Sequence, residues 1–256
     1  MMRTRVAVAV AVVVVVVAAV VAMPALAFRP SATWLFNRVM ERSHDRGTTS
    51  LRVDASTTTW TITGAPVVEG AAERTWLSAP GRLRRELDVD KGHTTEVRAD
   101  GRLLSQTPGQ PDKKSNAGVD LLAEIMTAMS SQDSGPAAQR LIGALKALGI
   151  NTEVVSYSRF DGRVAFVVGS KPWETDKPQL WLDKDLLVPL RLVTLQKDGA
   201  NMVRIDTRYL GWGSPVGGSW YPQVIEVWRG DAVIRRSVTE DLERNIEIDS
   251  ALYAIP

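Results

Sequence analysis

Cysteine is absent from the 256-residue chain. Without cysteine the chain has no disulfide framework, no thiol nucleophile and no cysteine-containing zinc site. It also has no N-terminal cysteine that could carry a lipid anchor. The absence therefore predicts a soluble protein without a lipid anchor.

Histidine is almost as scarce, since only His44 and His93 are present. The run Ser43-His44-Asp45 contains the residue types of a catalytic triad, but adjacent side chains at a helix end point apart and cannot form that geometry. No zinc-protease motif, nucleophile elbow or phosphate-binding glycine loop occurs. The carboxylate pairs fall at turns, where solvation explains them. The sequence therefore predicts a protein that is not an enzyme and that binds no metal or cofactor.

An excess of charge is also lacking. The chain has 31 Lys+Arg and 29 Asp+Glu; Arg3 and Arg5 lie in the first 27 residues, which contain no acid, so the remainder has 29 of each. A near-neutral chain has no electrostatic footprint for nucleic acid. The arginines at 82–85 and 235–236 are followed by nearby acids, which predicts solvated strand faces.

The first 27 residues have the parts of a secretory signal peptide. The two arginines precede a Val/Ala run over 6–22, and Pro24 and Ala25-Leu26-Ala27 follow. This order predicts cleavage after Ala27, and residues 28–256 are long enough for one β-rich domain. The alternative is an uncleaved anchor, because the apolar run is nearly long enough to span a bilayer.

Hydrophobic periodicity predicts a mainly β, α+β protein. A helix is expected over 31–46 and a helical pair over 118–130 and 136–148, inside an insertion at about 117–149. A polar loop over 107–115 precedes that pair and could act as its hinge. Alternating apolar and polar residues predict strands elsewhere, over 50–62, 72–77, 82–88, 94–98, 103–106, 152–159 and 163–169, with a β-meander over 183–256.

Three C-terminal motifs resemble those of the LolA/LolB-like periplasmic lipoprotein-carrier superfamily. They are Leu180-Trp-Leu-Asp-Lys184 with Pro189-Leu-Arg191, then Trp220-Tyr-Pro222, and the ending Asn245-Ile-x-Ile-x-x-x-Leu-Tyr-x-Ile-Pro256. The 77–86 segment, Leu-Ser-Ala-Pro-Gly-Arg-Leu-Arg-Arg-Glu, is similar to the N-terminal half of that superfamily. The resemblance implies an unclosed antiparallel β-barrel with an N-terminal helix and a helical lid over an apolar cavity.

Candidate ligand contacts are the tryptophans near strands, the apolar face of the helical pair, and one arginine. Tryptophans can equally fill the barrel wall. Arg85 alternates with Leu83 and Leu87 on an apolar strand face, so it either extends to the rim or pairs inside; in the superfamily an arginine of the similar strand contacts the lid. The full candidate set is Trp60, Trp76, Leu83, Arg85, Leu87, Leu121, Leu122, Ile125, Met126, Met129, Leu145, Trp181 and Trp220.

These features predict a monomeric periplasmic carrier that shields the acyl chains of lipids or lipoproteins, with possible donor and acceptor partners at the inner and outer membranes. Two alternatives stay open from the sequence. The same fold can serve as the ligand-sensing or protein-interaction domain of an envelope-stress regulator, which an Arg-rich strand face would favour. It can also be a structural envelope protein with a filled core.

The leader yields the first testable prediction. Intact-mass or N-terminal analysis of protein recovered from the periplasm should give Phe28 as the first residue, because the Ala-x-Ala site ends at Ala27. Recovery of the full-length form in the membrane fraction would instead support the uncleaved anchor.

Overall fold

The computed structural model describes residues 30–255, apart from residues 91, 117–119 and 130–133 and the side chains of 116, 126–129 and 134. The predicted leader lies outside the described residues. So do Gly118 and Ser130, the expected ends of the first lid helix.

The described residues form three α-helices, a short 3₁₀ helix at Ser250–Tyr253 and thirteen strands. The helices are α1 (Ala32–Asp45), α2 (Leu121–Met129) and α3 (Ser134–Ala147). The N-terminal strands are β1 (Ser50–Trp60), β2 (Pro66–Ser78), β3 (Arg82–Val89), β4 (Gly92–Ala99), β5 (Arg102–Gln106) and β6 (Lys113–Asn116). The C-terminal strands are β7 (Asn151–Phe160), β8 (Arg163–Gly169), β9 (Gln179–Asp183), β10 (Pro189–Asp198), β11 (Asn201–Leu210), β12 (Val224–Arg229) and β13 (Ala232–Arg244).

All thirteen strands belong to one antiparallel sheet with the order β6-β5-β4-β3-β2-β1-β13-β12-β11-β10-β9-β8-β7. Strands β6 and β7 are its two edges, so the sheet does not close on itself. The N-terminal and C-terminal halves of the chain meet where β1 pairs with β13, from Leu51 opposite Arg244 to Thr59 opposite Arg235. The predicted unclosed antiparallel barrel with an N-terminal helix is confirmed.

Helix α1 forms where the sequence predicts a helix. The side chain of Ser31 caps it by accepting a hydrogen bond from the Trp34 backbone N–H at 3.2 Å. Phe36 and the other apolar residues at helical spacing are buried on one face, which also includes Leu35, Val39 and Met40. Gly47 ends the helix with φ +62°, a conformation that glycine adopts without strain.

The largest core cluster lies between α1, α3 and the C-terminal strands β8–β10. Leu35, Leu145 and Leu180 are fully buried in it. A smaller cluster lies under α2, where Ala123 packs against Leu51, Leu77 and Leu83. The helices therefore cover one face of the sheet, as an apolar helical pair inserted among strands predicts. A third cluster surrounds Tyr253 and contains Val97, Ala99 and Leu104, with Trp76 packed against it.

Two expectations about the N-terminal half are wrong. Residues 107–115 are not entirely a loop, because β6 pairs with β5 from Lys113 opposite Ser105 to Asn116 opposite Arg102; the segment available as a hinge is correspondingly shorter. Strand β2 also begins at Pro66 rather than at residue 72. Its first residues are mostly exposed, so their side chains give no periodic burial signal.

The arginine clusters are not simply solvated strand faces. Arg84 behaves as expected and pairs with Glu86 on its own strand. Arg85 of β3 and Arg235 of β13 instead converge on Glu73 of β2, which is only 6% exposed. The Arg85 Nε lies 3.3 Å from Glu73 Oε1, and the Arg235 guanidinium donates to Glu73 Oε2. Thr57 of β1 also donates to Oε2, at 2.8 Å.

Core packing gives a stability prediction. Leu35→Ala should lower the free energy of unfolding by about 2–5 kcal/mol, because a fully buried leucine leaves a cavity when it is truncated. Ile62→Ala is the matched control. Ile62 is 65% exposed, so its truncation should change stability by less than about 0.5 kcal/mol. Urea unfolding of both variants tests the packing, and equal losses would contradict it.

Glu73 gives a second prediction. Breaking a buried ion pair typically costs about 3–5 kcal/mol. Glu73→Gln should lower the free energy of unfolding by an amount near the lower end of that range, because it leaves two guanidinium groups facing each other. The arginines are 21% and 25% exposed, so water screens part of this cost. Glu69→Gln, an exposed change on the same strand, should have little effect. If Glu73→Gln leaves the free energy of unfolding in urea unchanged, the cluster does not stabilise the sheet.

Candidate functional site

A cavity of about 270 Å³ lies between α2 and the sheet. One part of its wall is apolar and is formed by the start of α2 and by the two C-terminal strands β10 and β12. The apolar residues are Leu121, Leu122, Leu192, Ile225 and Val227. The cavity lies where the lid and sheet were expected to enclose one, and three of the candidate residues line it: Leu121, Leu122 and Arg85.

The remainder of the wall is polar, whereas the sequence led us to expect an apolar cavity. The ion cluster of Glu73, Arg85 and Arg235 borders the cavity, together with the hydroxyl side chains of Thr207 and Ser237. Asp120, Tyr209 and Tyr221 complete this side. The cavity is thus two-sided, with aliphatic side chains facing charged and hydroxyl groups.

Asp120 connects the start of α2 to the ion cluster. Its side chain accepts a hydrogen bond from the Ala123 backbone N–H at 3.0 Å, the geometry of an N-cap. Its Oδ2 lies 4.0 Å from the guanidinium of Arg85. That guanidinium is also 3.4 Å from Glu96, so Arg85 contacts carboxylates on β2, on β4 and at the start of α2.

Burial and neighbouring charges shift several pKa values here. Burial acts to lower the pKa of Arg85, but the carboxylates of Glu73, Glu96 and Asp120 outweigh it and hold the pKa above its ordinary value. Burial, reinforced by the positive charge of Arg85, lowers the pKa of Arg235. Burial also raises the pKa values of the phenols of Tyr209 and Tyr221, so both stay protonated at neutral pH.

A second cavity, of about 20 Å³, lies on the other side of Leu122. Leu122 and Tyr221 line both cavities, and Ile125 and Trp220 line only the smaller one. The guanidinium of Arg244 stacks on Trp220, with its central carbon 3.6 Å from the ring centroid. Leu122 therefore forms part of the partition between the two spaces.

Other candidate residues lie in the core beside the cavities. Leu83 packs beneath α2 with Leu51 and Leu77. Leu145 and Trp181 belong to the large cluster, and the Trp181 indole N–H donates to Gln179 at 3.0 Å. None of these three lines either cavity.

The last candidates lie elsewhere or outside the described part. Leu87 borders a groove of about 810 Å³ between the tip of the β1–β2 hairpin and β3. Trp60 is the last residue of β1, opposite Pro66, and Trp76 packs in the cluster around Tyr253. Met126 and Met129 belong to α2, but their side chains lie outside the described residues.

Sequence reasoning missed most of the polar wall. Glu73 alternates with Thr75 and Leu77 on one strand face, so an acid on an otherwise apolar face was the available signal. Asp120 was readable as a helix cap. The tyrosines gave no comparable signal, because an aromatic residue in a strand is ordinarily a packing residue.

The described part of the chain contains no group of three or more histidine, cysteine or carboxylate side chains placed to hold a metal ion. His93 forms an exposed pair with Asp88, whose Oδ1 is 2.6 Å from Nδ1.

Within the described residues, every helix is too short or too polar to cross a membrane.

Comparison with known proteins places the fold. No family model matches the sequence, and no curated protein matches it. A LolA superfamily protein from Nitrosomonas europaea matches the structure with a TM-score of 0.51 at 9% identity, over 86% of this chain and 97% of that one. A DUF1329 family protein from Desulfovibrio piger has the same score and coverages at 13% identity.

A putative outer membrane lipoprotein-sorting protein domain from Vibrio parahaemolyticus is more distant, with a TM-score of 0.39 at 10% identity over 84% of this chain and 94% of that one. The assignment of the fold rests on the first two structures. At these identities the likeness concerns the fold alone. The chain has the LolA-like fold that its C-terminal motifs implied.

Proposed function

We propose that this protein is a periplasmic carrier that binds the acyl chain of a lipid or lipoprotein in the cavity under α2 and performs no catalysis. The observation that supports the proposal most directly is the cavity itself, which has an aliphatic wall and is covered by a single nine-residue helix. A LolA-like fold supports the same function. On this proposal the partners are acyl chains and the proteins that deliver and accept them.

On this proposal, α2 moves to admit a long chain. Ligand sites are typically about 300–1,000 Å³, and the cavity of about 270 Å³ is just below that range. The second cavity is separated from it by Leu122. A displacement of α2 that withdraws Leu122 would join the two spaces and make room for a longer chain.

The aliphatic wall provides the driving force for binding. Each buried methylene contributes about 0.8 kcal/mol, so a sixteen-carbon chain would contribute on the order of 12 kcal/mol before ordering costs. The cost of displacing α2 is subtracted from this amount. Binding is therefore favourable only for ligands with a long chain, which is the selectivity that a carrier of acylated molecules needs.

The alternative function, a ligand-sensing or protein-interaction domain, would be favoured by an exposed Arg-rich strand face, and the structure does not present these arginines in that way. An Arg-rich strand face was expected to meet an acidic partner, but Arg85 and Arg235 face the cavity and pair with Glu73. Arg84 is engaged with Glu86 and with the carbonyl of Leu252. Arg84, Arg85 and Arg235 are therefore paired with carboxylates within the chain.

Leu122→Glu tests the carrier function against a filled core. In the carrier, the new carboxylate lies at a cavity wall near Arg85, so stability should fall by only about 1–2 kcal/mol while binding of a diacylated lipopeptide falls strongly. Leu145→Glu is the control. It places a charge in the packed core away from the cavities and should cost about 4 kcal/mol or more.

Urea midpoints and the displacement of bis-ANS by the lipopeptide should be measured on the same preparations. Wild-type protein should bind bis-ANS and release it to the lipopeptide. If Leu122→Glu loses as much stability as Leu145→Glu yet keeps its affinity in the folded fraction, α2 is part of a closed core and the carrier function is wrong. Failure of well-folded wild-type protein to bind either molecule would also overturn it.

A further inference from the structure

The polar wall of the cavity has more hydrogen-bond donors than engaged partners. Tyr209 and Tyr221 are 6% and 5% exposed and line the cavity, yet no hydrogen bond of the described residues engages either hydroxyl. The Nε of Arg85 is buried and has no aligned hydrogen-bond acceptor, although Glu73 is nearby. Donors that line the cavity without a protein acceptor favour an acceptor that enters this space.

Two carboxylate oxygens of the same wall already accept hydrogen bonds. Glu73 Oε2 accepts from Thr57 at 2.8 Å and from Arg235. Asp120 Oδ1 accepts from the Ala123 N–H at the start of α2. A ligand group that meets this wall is therefore recognised mainly by the oxygens it presents.

The charges of the wall decide which kind of acceptor fits. Three arginines and three carboxylates are linked by contacts of 4.0 Å or less: Arg85, Arg98 and Arg235 with Glu73, Glu96 and Asp120. The cluster is thus balanced, and an incoming anion would lose its water shell without gaining a net countercharge. A neutral carbonyl oxygen has a far smaller desolvation cost.

We propose that Tyr209 and Tyr221 determine specificity by donating hydrogen bonds to the carbonyl oxygen of a neutral acyl ester or amide, whose chain lies against Leu122 and Ile225. This inference rests on the proposed carrier function and narrows its ligand class to esterified or amidated chains, in preference to free fatty acids.

A matched pair of ligands isolates the carbonyl. Monododecanoylglycerol and 1-O-dodecylglycerol have the same uncharged head and the same chain length, and only the first has an ester carbonyl. Dodecanoate supplies the anionic comparison. Affinities should be measured by displacement of bis-ANS below the micellar concentration of each ligand. Wild-type protein should bind the ester about tenfold more tightly than the ether and more tightly than dodecanoate.

The matched variants are Tyr209→Phe and Tyr221→Phe. Because neither hydroxyl has a partner in the free protein, both variants should fold with unchanged urea midpoints. Each should weaken binding of the ester by about threefold to tenfold and leave binding of the ether unchanged. Tyr157→Phe, on the edge strand β7 and away from the cavity, is the control and should leave both affinities unchanged.

Each outcome separates the two proposals. Equal affinity of wild-type protein for the ester and the ether, or ester binding that is insensitive to both Tyr→Phe changes, would overturn the carbonyl assignment while the carrier function stands. Tighter binding of dodecanoate than of the ester would assign the wall to an anion and also overturn it. Binding of none of the three ligands would overturn the carrier function itself.

Discussion

The bond between Glu73 and Arg235 crosses the line along which the two halves of the sheet meet. Glu73 is on β2 and Arg235 on β13, with β1 between them, and the residues are 162 positions apart in the chain. Thr57 on β1 donates to the same carboxylate and also shares a hydrogen bond of 2.7 Å with Ser237 of β13. Backbone pairing joins these strands, and the polar cluster adds side-chain bonds across the same junction.

The cluster is costly and therefore constrains its surroundings. Desolvating one carboxylate and two guanidinium groups is repaid only when each finds partners, and the sequence supplies them from β1, β2, β3, β4 and the start of α2. The apolar side chains of α2 and of β12 cannot pack directly against such a surface without leaving polar groups unsatisfied. A space between them is the expected result, and the cavity lies there.

The fold could largely be predicted from the sequence, because helices and strands are indicated by patterns of neighbouring residues. Alternation located most strands, and the amphipathic pattern located α1 within one residue at each end. Strand β6 was missed because its residues, Lys113-Lys-Ser-Asn116, resemble a polar loop and pair only at a sheet edge. The aliphatic wall contributed by α2 was predicted for the same reason as the helix, since its apolar residues recur at helical spacing.

The polar wall could not be read in the same way, because its defining contacts are long-range. Nothing near Arg235 in the sequence indicates Glu73, and local acids such as Glu240 offered a plausible but wrong set of partners. Pairing of β2 with β3 places Thr75 opposite Arg85 and Glu73 opposite Leu87, so even the correct register does not put Arg85 directly across from Glu73. The contact is diagonal, which lies within the reach of a long arginine side chain.

The same geometry couples the wall to the helix above it. Asp120 caps α2 through its Oδ1 and approaches Arg85 through its Oδ2, at a distance too long for a hydrogen bond. Of the three carboxylates around Arg85 it is therefore the most weakly held, and it is the only one on a helix. A displacement of α2 would break this contact and leave the Glu73 pairs in place. On the proposed carrier function, the sheet can thus stay intact while the cavity opens.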